Sequence, residues 1–113
     1  MSAPIFVDTN VWVYAVDAAD PVKQARAREV LDPANGASLV TSAQVLGEFY
    51  VTVTRRLGRP VTRDDAARMV ERMRRLPVIE IDAERVAAAI DGSRSWQLSY
   101  WDALIVVAAQ AAG

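Results

Sequence analysis

Three acidic residues of this chain stand in apolar surroundings, which is unusual for carboxylates. Asp8 directly follows an apolar run at residues 5–7, and Glu48 and Asp102 each lie inside an apolar segment. Three convergent carboxylates repel one another unless a cation lies between them. Ligand sets made only of oxygen suit Mg²⁺ or Mn²⁺, and such an ion lowers the pKa of a bound water and stabilises charge on a phosphoryl group. The three acids therefore predict metal-assisted hydrolysis of a phosphodiester.

Each acid also has a purely structural interpretation. Asp8 could accept backbone N–H groups in the turn formed by Thr9 and Asn10. Asp102 stands three residues after Ser99, the spacing of a capping box. Glu48 lies at the border of the apolar stripe of its helix, where an isolated glutamate is usually solvated. A capping carboxylate can still present its second oxygen to a metal, so the two roles of Asp102 are compatible.

The elements that must position these acids alternate between strand and helix. The first apolar run is apolar on both faces, which is typical of a buried strand in a parallel sheet. Shorter strands are predicted at residues 38–41 and 78–81, and helices follow each strand. This alternation predicts an α/β fold with a parallel sheet, right-handed crossovers and helices on both faces. The carboxyl ends of parallel strands share one edge, where α/β sheets place their ligands.

Helix boundaries are predicted from caps and helix-breaking residues. Asp20 and Pro21 begin a helix that runs to about Leu31, and either Thr41 or Ser42 caps the next, with Gln44 placed for a capping box. The buried stripe of that second helix is predicted to comprise Val45, Leu46, Phe49, Val53 and Leu57. Thr62 is predicted to begin a helix that reaches about Leu76. Asp82 is predicted to begin one that runs through Ile90 and is stopped by Gly92. Ser99 is predicted to begin the last helix.

Length and composition restrict the chemistry further. A chain of 113 residues makes one domain, and this one contains neither cysteine nor histidine. Disulfides, thiolate metal sites and a histidine general base are therefore excluded. Catalysis must use carboxylates, hydroxyls or hard metal ions. With no signal peptide and no apolar run long enough to cross a bilayer, the sequence is expected to be cytoplasmic.

Arginine is concentrated in the middle of the chain, although the formal net charge is only −1. Such a span has the sign that suits an RNA phosphate backbone, but it also fits a solvated helix face. The span comprises Arg55, Arg56, Arg59, Arg63, Arg68, Arg72, Arg74 and Arg75.

The ordered motifs resemble a known family. Three motifs are similar to the PIN-domain signature, and more narrowly to VapC toxins of bacterial type II toxin–antitoxin systems. They are Val-Asp-Thr-Asn-Val at residues 7–11, Glu48 on the helix after the second strand, and Tyr-Trp-Asp-Ala-Leu-Ile at residues 100–105. The resemblance implies an endoribonuclease that uses Mg²⁺ or Mn²⁺, with Asp8, Glu48 and Asp102 as metal-binding catalytic acids. It places Asn10 near the substrate. It also implies a homodimer and a small cognate antitoxin whose tail fills the active-site groove.

The chain departs from that pattern at one point. Family members continue past the last helix into a fourth strand that carries another acid, and no residue of this chain can be assigned to that position. The expectation is therefore one PIN-like domain over residues 1–113 with three strands and without the C-terminal ones.

Two other functions fit parts of the sequence. One is a catalytically silent PIN-like module that binds an antitoxin or another protein partner. The other is a phosphohydrolase with an aspartyl nucleophile at Asp8. Enzymes of that second kind place a carboxylate two residues further on, where this chain has Asn10.

Overall fold

A parallel sheet with helices around it forms the fold. The computed structural model describes residues 4–113, so the first three residues of the expected domain lie outside it. Across that range three strands pair in the order β1-β2-β3, and they are β1 (Pro4–Phe6), β2 (Ser38–Ser42) and β3 (Val78–Ile79). The predicted α/β class and its parallel sheet are confirmed.

Six α-helices connect and flank these strands within the described range. Their bounds are α1 (Thr9–Val16), α2 (Pro21–Leu31), α3 (Ala43–Arg55), α4 (Arg63–Met73), α5 (Ala83–Trp96) and α6 (Tyr100–Ala112). In residues 4–113, none of these helices has the length and apolar character needed to cross a membrane.

The predicted caps are confirmed where they depend on local sequence. Asp20 accepts a hydrogen bond from the Lys23 N–H at 3.1 Å, with Pro21 opening α2. Between the two candidates for α3, the cap is Ser42, whose Oγ accepts from the Val45 N–H at 3.3 Å. The other predicted caps, Thr62, Asp82 and Ser99, each accept from the N–H three residues on. Such caps satisfy N–H groups that have no partner inside the helix.

The core is divided into two clusters, one for each helix group. The stripe of α3 supplies Val45, Phe49 and Val53, which are buried against Val13 of α1 and against α4. A second cluster joins α5 and α6 around Leu104. Two separate clusters are what helices on both faces of a parallel sheet produce. Helix α3 supplies half of the six buried residues of its cluster.

Gly92 does not end α5, contrary to the prediction. The helix continues to Trp96, and Gln97 ends it in the left-handed conformation with φ of 56°. Gly92 is buried, and a Cβ added there would collide with the Trp96 ring. The indole of the next turn occupies the space that a side chain at position 92 would enter, a contact that local propensity does not report.

The first strand is less buried than its sequence predicts. Val7, just after β1, is 2% exposed, but Ile5 is 45% exposed. β1 lies at an edge of the described sheet and pairs only with β2 there. An apolar run therefore correctly predicted a parallel strand, whereas its burial depended on how many neighbours the strand has.

Thr41 offers a test of the sheet's packing. It is completely buried, and its Oγ1 has no hydrogen-bond partner among the described residues. A buried hydroxyl without a partner costs about 1–3 kcal/mol. We expect Thr41→Val, which replaces the hydroxyl by a methyl group, to raise the free energy of unfolding by about 1 kcal/mol in urea titration. A stability below that of the unmodified chain would show that the hydroxyl has a partner in solution.

The arginine span is mostly free of ion pairs. Within residues 4–113, two of its arginines pair with acids, Arg68 with Asp65 at 2.5 Å and Arg74 with Glu71 at 2.7 Å. The Arg68 hydrogen bond, aided by the Thr62 cap, holds the pKa of the Asp65 carboxyl below its usual value. The remaining six arginines of the span form none of the ion pairs found in this range.

Candidate active site

One cleft contains all the predicted site residues. Its volume is about 960 Å³, and the ends of α1 and α6 and one face of α3 form its walls. The polar side chains that line it are Asp8, Thr9, Asn10, Glu48, Thr52, Arg56 and Asp102. The volume falls within the range typical of small-molecule sites.

Asp8 is the N-cap of α1. Its Oδ1 accepts the Thr9 N–H at 2.6 Å, so the structural interpretation of this acid is confirmed in part. Its Oδ2 takes part in no hydrogen bond within the described residues, and the side chain is exposed. One oxygen therefore orients the carboxylate while the other remains available to a ligand in the cleft.

Glu48 is held on both sides rather than solvated. Its Oε2 accepts the Thr9 hydroxyl at 2.8 Å, and its Oε1 accepts Gln44 Nε2 at 2.8 Å. Thr9 is adjacent to Asp8 in the chain, so the first hydrogen bond connects the two acids' helices, α1 and α3. Hydrogen bonds to a charged group are stronger than those between neutral groups and fix its orientation.

Thr9 and Gln44 are positioning residues that the sequence analysis did not identify. Gln44 was predicted to complete a capping box, but the α3 cap is Ser42, which leaves Gln44 at the wrong spacing for that box. Its amide instead contacts Glu48, four residues on and so on the same face of the helix. That spacing was readable from the sequence, whereas the contact of Thr9 with residue 48 was not, because it joins distant segments.

Asp102 occupies the first turn of α6 with a free side chain. Its backbone N–H donates to Ser99 Oγ at 3.1 Å. A full capping box also needs the Ser99 N–H to donate to the Asp102 carboxylate, and that hydrogen bond is not found in the described part of the chain. The exposed carboxylate is therefore not consumed by capping.

The three acids share the cleft without forming one tight cluster. In residues 4–113, no group of three or more acidic side chains is close enough to hold a metal ion jointly. The donor set nevertheless fits a hard divalent ion by type, because it consists of carboxylate oxygens with no sulfur or imidazole. Asp8 and Asp102 are both exposed, so their side chains are not locked in place by packing.

Two helix N-termini face this concentration of negative charge. α1 begins with Asp8 as its cap, and α6 begins one residue after Ser99. The unpaired N–H groups of a helix start favour nearby anions. The helix starts therefore lower the electrostatic cost of placing three carboxylates in one cleft.

The Thr9 hydroxyl gives a prediction about Glu48. Thr9 is 7% exposed, so Thr9→Val keeps its shape while removing the donor to the carboxylate. We expect the free energy of unfolding to fall by about 1–2 kcal/mol, since a partly buried charged acceptor loses its partner. Urea unfolding measures the change, and Thr9→Ser, which keeps the hydroxyl, is the control. Equal losses in the two variants would contradict a role for the hydrogen bond.

Comparison with known proteins identifies the family. The sequence model of the PIN domain matches residues 5–113. The chain is similar in structure to the Mycobacterium tuberculosis toxin VapC20, which cleaves the sarcin–ricin loop, with 25% sequence identity and a TM-score of 0.63. The similarity covers 90% of this chain and 78% of VapC20. None of the curated proteins compared matches the sequence. The chain therefore belongs to the PIN domain family, with a fold of the VapC type.

Proposed function

We propose that this protein is an endoribonuclease toxin that hydrolyses RNA phosphodiester bonds with a divalent ion held by Asp8, Glu48 and Asp102. The observation that carries the proposal is the common cleft of these three acids, with Glu48 fixed by Thr9 and Gln44. Membership of the PIN domain family and the likeness to a VapC toxin support the reaction class.

The metal of this proposal is Mg²⁺ or Mn²⁺. When bound, such an ion supplies an activated water and neutralises charge that develops on the phosphate. The chain's own residues prepare for it in different ways. Glu48 needs little reorganisation because both its oxygens are already fixed, Asp8 offers the oxygen that does not cap α1, and Asp102 faces the cleft from α6. Asn10 lines the same cleft and is assigned to substrate contact.

The ion requirement tests the proposal directly. We expect the purified protein to cleave an end-labelled tRNA pool in Mg²⁺ or Mn²⁺, and to lose cleavage in EDTA with recovery when the ion is restored. Gel analysis of the fragments is the measurement. Cleavage that persists unchanged in EDTA would contradict a metal-dependent reaction, and no cleavage of tRNA or of rRNA in either ion would contradict the nuclease.

The proposal includes protein partners. We assign the protein a homodimeric state and a small antitoxin that occupies the cleft, in line with VapC-type systems. Light scattering of the purified protein measures whether it is a dimer. The antitoxin assignment requires that the bound antitoxin suppress the cleavage described above.

A second candidate function is a catalytically silent module that binds a protein partner. It is favoured by one observation, that the described acidic side chains do not form a group of three within reach of one ion. Calorimetry separates the candidates, because the nuclease requires Mn²⁺ binding that Asp8→Asn weakens. A partner bound with full affinity by a chain with undetectable Mn²⁺ binding would favour the silent module.

A further inference from the structure

We propose that Trp101 and Arg56 bind one unpaired RNA strand across the cleft, with the indole stacking on a nucleobase and the guanidinium contacting a phosphate. The inference rests on the proposed function for the identity of the ligand and adds to it the residues that contact the strand. It concerns binding, so it can be tested without cleavage.

Trp101 is exposed to an unusual degree for its type. Its exposed fraction is 61%, beside 42% for Trp96. Among the described residues, three of the eight exposed large apolar side chains, Val51, Leu98 and Trp101, line this one cleft. Exposed apolar area concentrated at one opening indicates a binding surface rather than scattered surface residues.

The backbone around Trp101 is connected through Gln44 to Glu48, one of the three acids of the cleft. The Trp101 carbonyl accepts Gln44 Nε2 at 3.5 Å, and the same amide donates to Glu48. The Tyr100 ring meets the indole edge-on, with centroids 4.9 Å apart and planes at 73°. This contact leaves the indole largely exposed, so the ring is supported by a neighbour and still has surface for a ligand.

Arg56 is the C-cap of α3 and lies on the other side of Glu48 from Gln44. Residues 48, 52 and 56 are spaced by four and share one helix face, and all three line the cleft. Eight residues of helix span about 12 Å, so Arg56 is separated from Glu48 by about two helical turns. Arg56 is exposed and takes part in none of the ion pairs within residues 4–113.

An exposed indole and an exposed guanidinium in one cleft favour an unpaired strand over other ligands. An indole stacks on a nucleobase only when the base is released from a duplex, and such stacking tolerates any base. A guanidinium matches the geometry of a phosphate. A protein partner would also cover apolar surface, but the apolar residues here share their opening with three carboxylates and an unpaired arginine, which suits a polyanion brought to a metal site.

The test measures binding of fluorescein-labelled oligouridine by fluorescence anisotropy in EDTA, where metal-dependent cleavage cannot occur. Trp101→Ala is expected to weaken binding by about 5- to 100-fold, the usual effect of losing one stacked base. Trp101→Phe keeps an aromatic face and should lose less affinity than Trp101→Ala. Trp96→Ala removes an indole outside the cleft and should bind as the unmodified protein does. Circular dichroism checks that each variant is folded.

Arg56 is tested by salt dependence. Arg56→Ala should lower the slope of log affinity against log salt by about 0.7, the value for one phosphate contact on a single strand. Arg55→Ala is the matched control, because Arg55 is adjacent but lines a different pocket with Arg63. Duplex RNA of the same length should lose no affinity through Trp101→Ala, since its bases are not available for stacking.

The outcomes separate this inference from the nuclease proposal. If Trp101→Ala and Trp96→Ala bind oligouridine equally well, the stacking role is overturned, and the exposed indole is then assigned to a protein interface. Cleavage by the unmodified protein in Mg²⁺ or Mn²⁺ would stand in that case. Conversely, if Trp101→Ala weakens binding and Trp96→Ala does not, but the unmodified protein cleaves no RNA, the result supports the RNA-binding surface and counts against the nuclease.

Discussion

Asp8→Asn is expected to abolish RNA cleavage while leaving the protein folded. Asparagine is as good an N-cap as aspartate, so the oxygen that accepts the Thr9 N–H at 2.6 Å is retained. What disappears is the negative charge offered to the divalent ion. An ion that stabilises the transition state by several kcal/mol is worth at least about 100-fold in rate. We therefore expect the initial rate on labelled tRNA to fall at least 100-fold at saturating Mn²⁺.

Asp20→Asn is the matched control for this experiment. Asp20 caps α2 as Asp8 caps α1, by accepting a backbone N–H, but it does not line the cleft. The two variants therefore make the same chemical change at the same kind of position. Unchanged melting temperatures in both, with cleavage lost only in Asp8→Asn, would assign the effect to the metal site. A rate within a few-fold of the unmodified protein would rule out Asp8 as a ligand of the catalytic ion.

Phe49→Ala is expected to have the largest effect on stability. Phe49 is 2% exposed and lies in the cluster that joins α3 to α1 and α4. Removing a buried phenyl group costs about 3–5 kcal/mol, a large share of the ~5–15 kcal/mol that stabilises a typical domain. Urea unfolding followed by circular dichroism should therefore show a much lower midpoint, or a chain already unfolded without denaturant.

Ile90→Ala is the corresponding surface deletion. Ile90 is 48% exposed on α5, so it has less packing to lose, and alanine favours helix more than isoleucine does. Its free energy of unfolding should stay within about 1 kcal/mol of the unmodified value. If the two deletions cost the same, the cluster around Phe49 would not be the main source of stability.

Local chemistry explains which parts of the fold were predictable. The caps at Asp20, Thr62 and Ser99 were predictable because a cap and its N–H partner are three residues apart. The end of α5 was not, because Gly92, which predicted a stop, lies inside the helix and the left-handed cap falls on Gln97. Likewise the exposure of Ile5 depends on strand neighbours that no local pattern encodes.

The candidate site was also predictable only in part from the sequence. Asp8, Glu48 and Asp102 were predicted from residue type and from their position near strand ends and helix starts, and they line one cleft. The hydrogen bond from Thr9 to Glu48 spans 39 positions in sequence, and pairing at that range depends on how α1 and α3 are packed together. Sequence reasoning thus identified the charged groups but not the groups that orient one of them.

The neighbouring positions of Glu48 and Phe49 on α3 restrict how this protein can change in length over evolution. Each residue of a helix is rotated about 100° from the last. One residue inserted between Ser42 and Glu48 would turn the acid away from Thr9 and turn Phe49 out of its buried cluster. Insertions in residues 32–37, between α2 and β2, cause no such rotation, because β2 is held in register by β1. Length variation should therefore accumulate before β2 and be eliminated within the first two turns of α3.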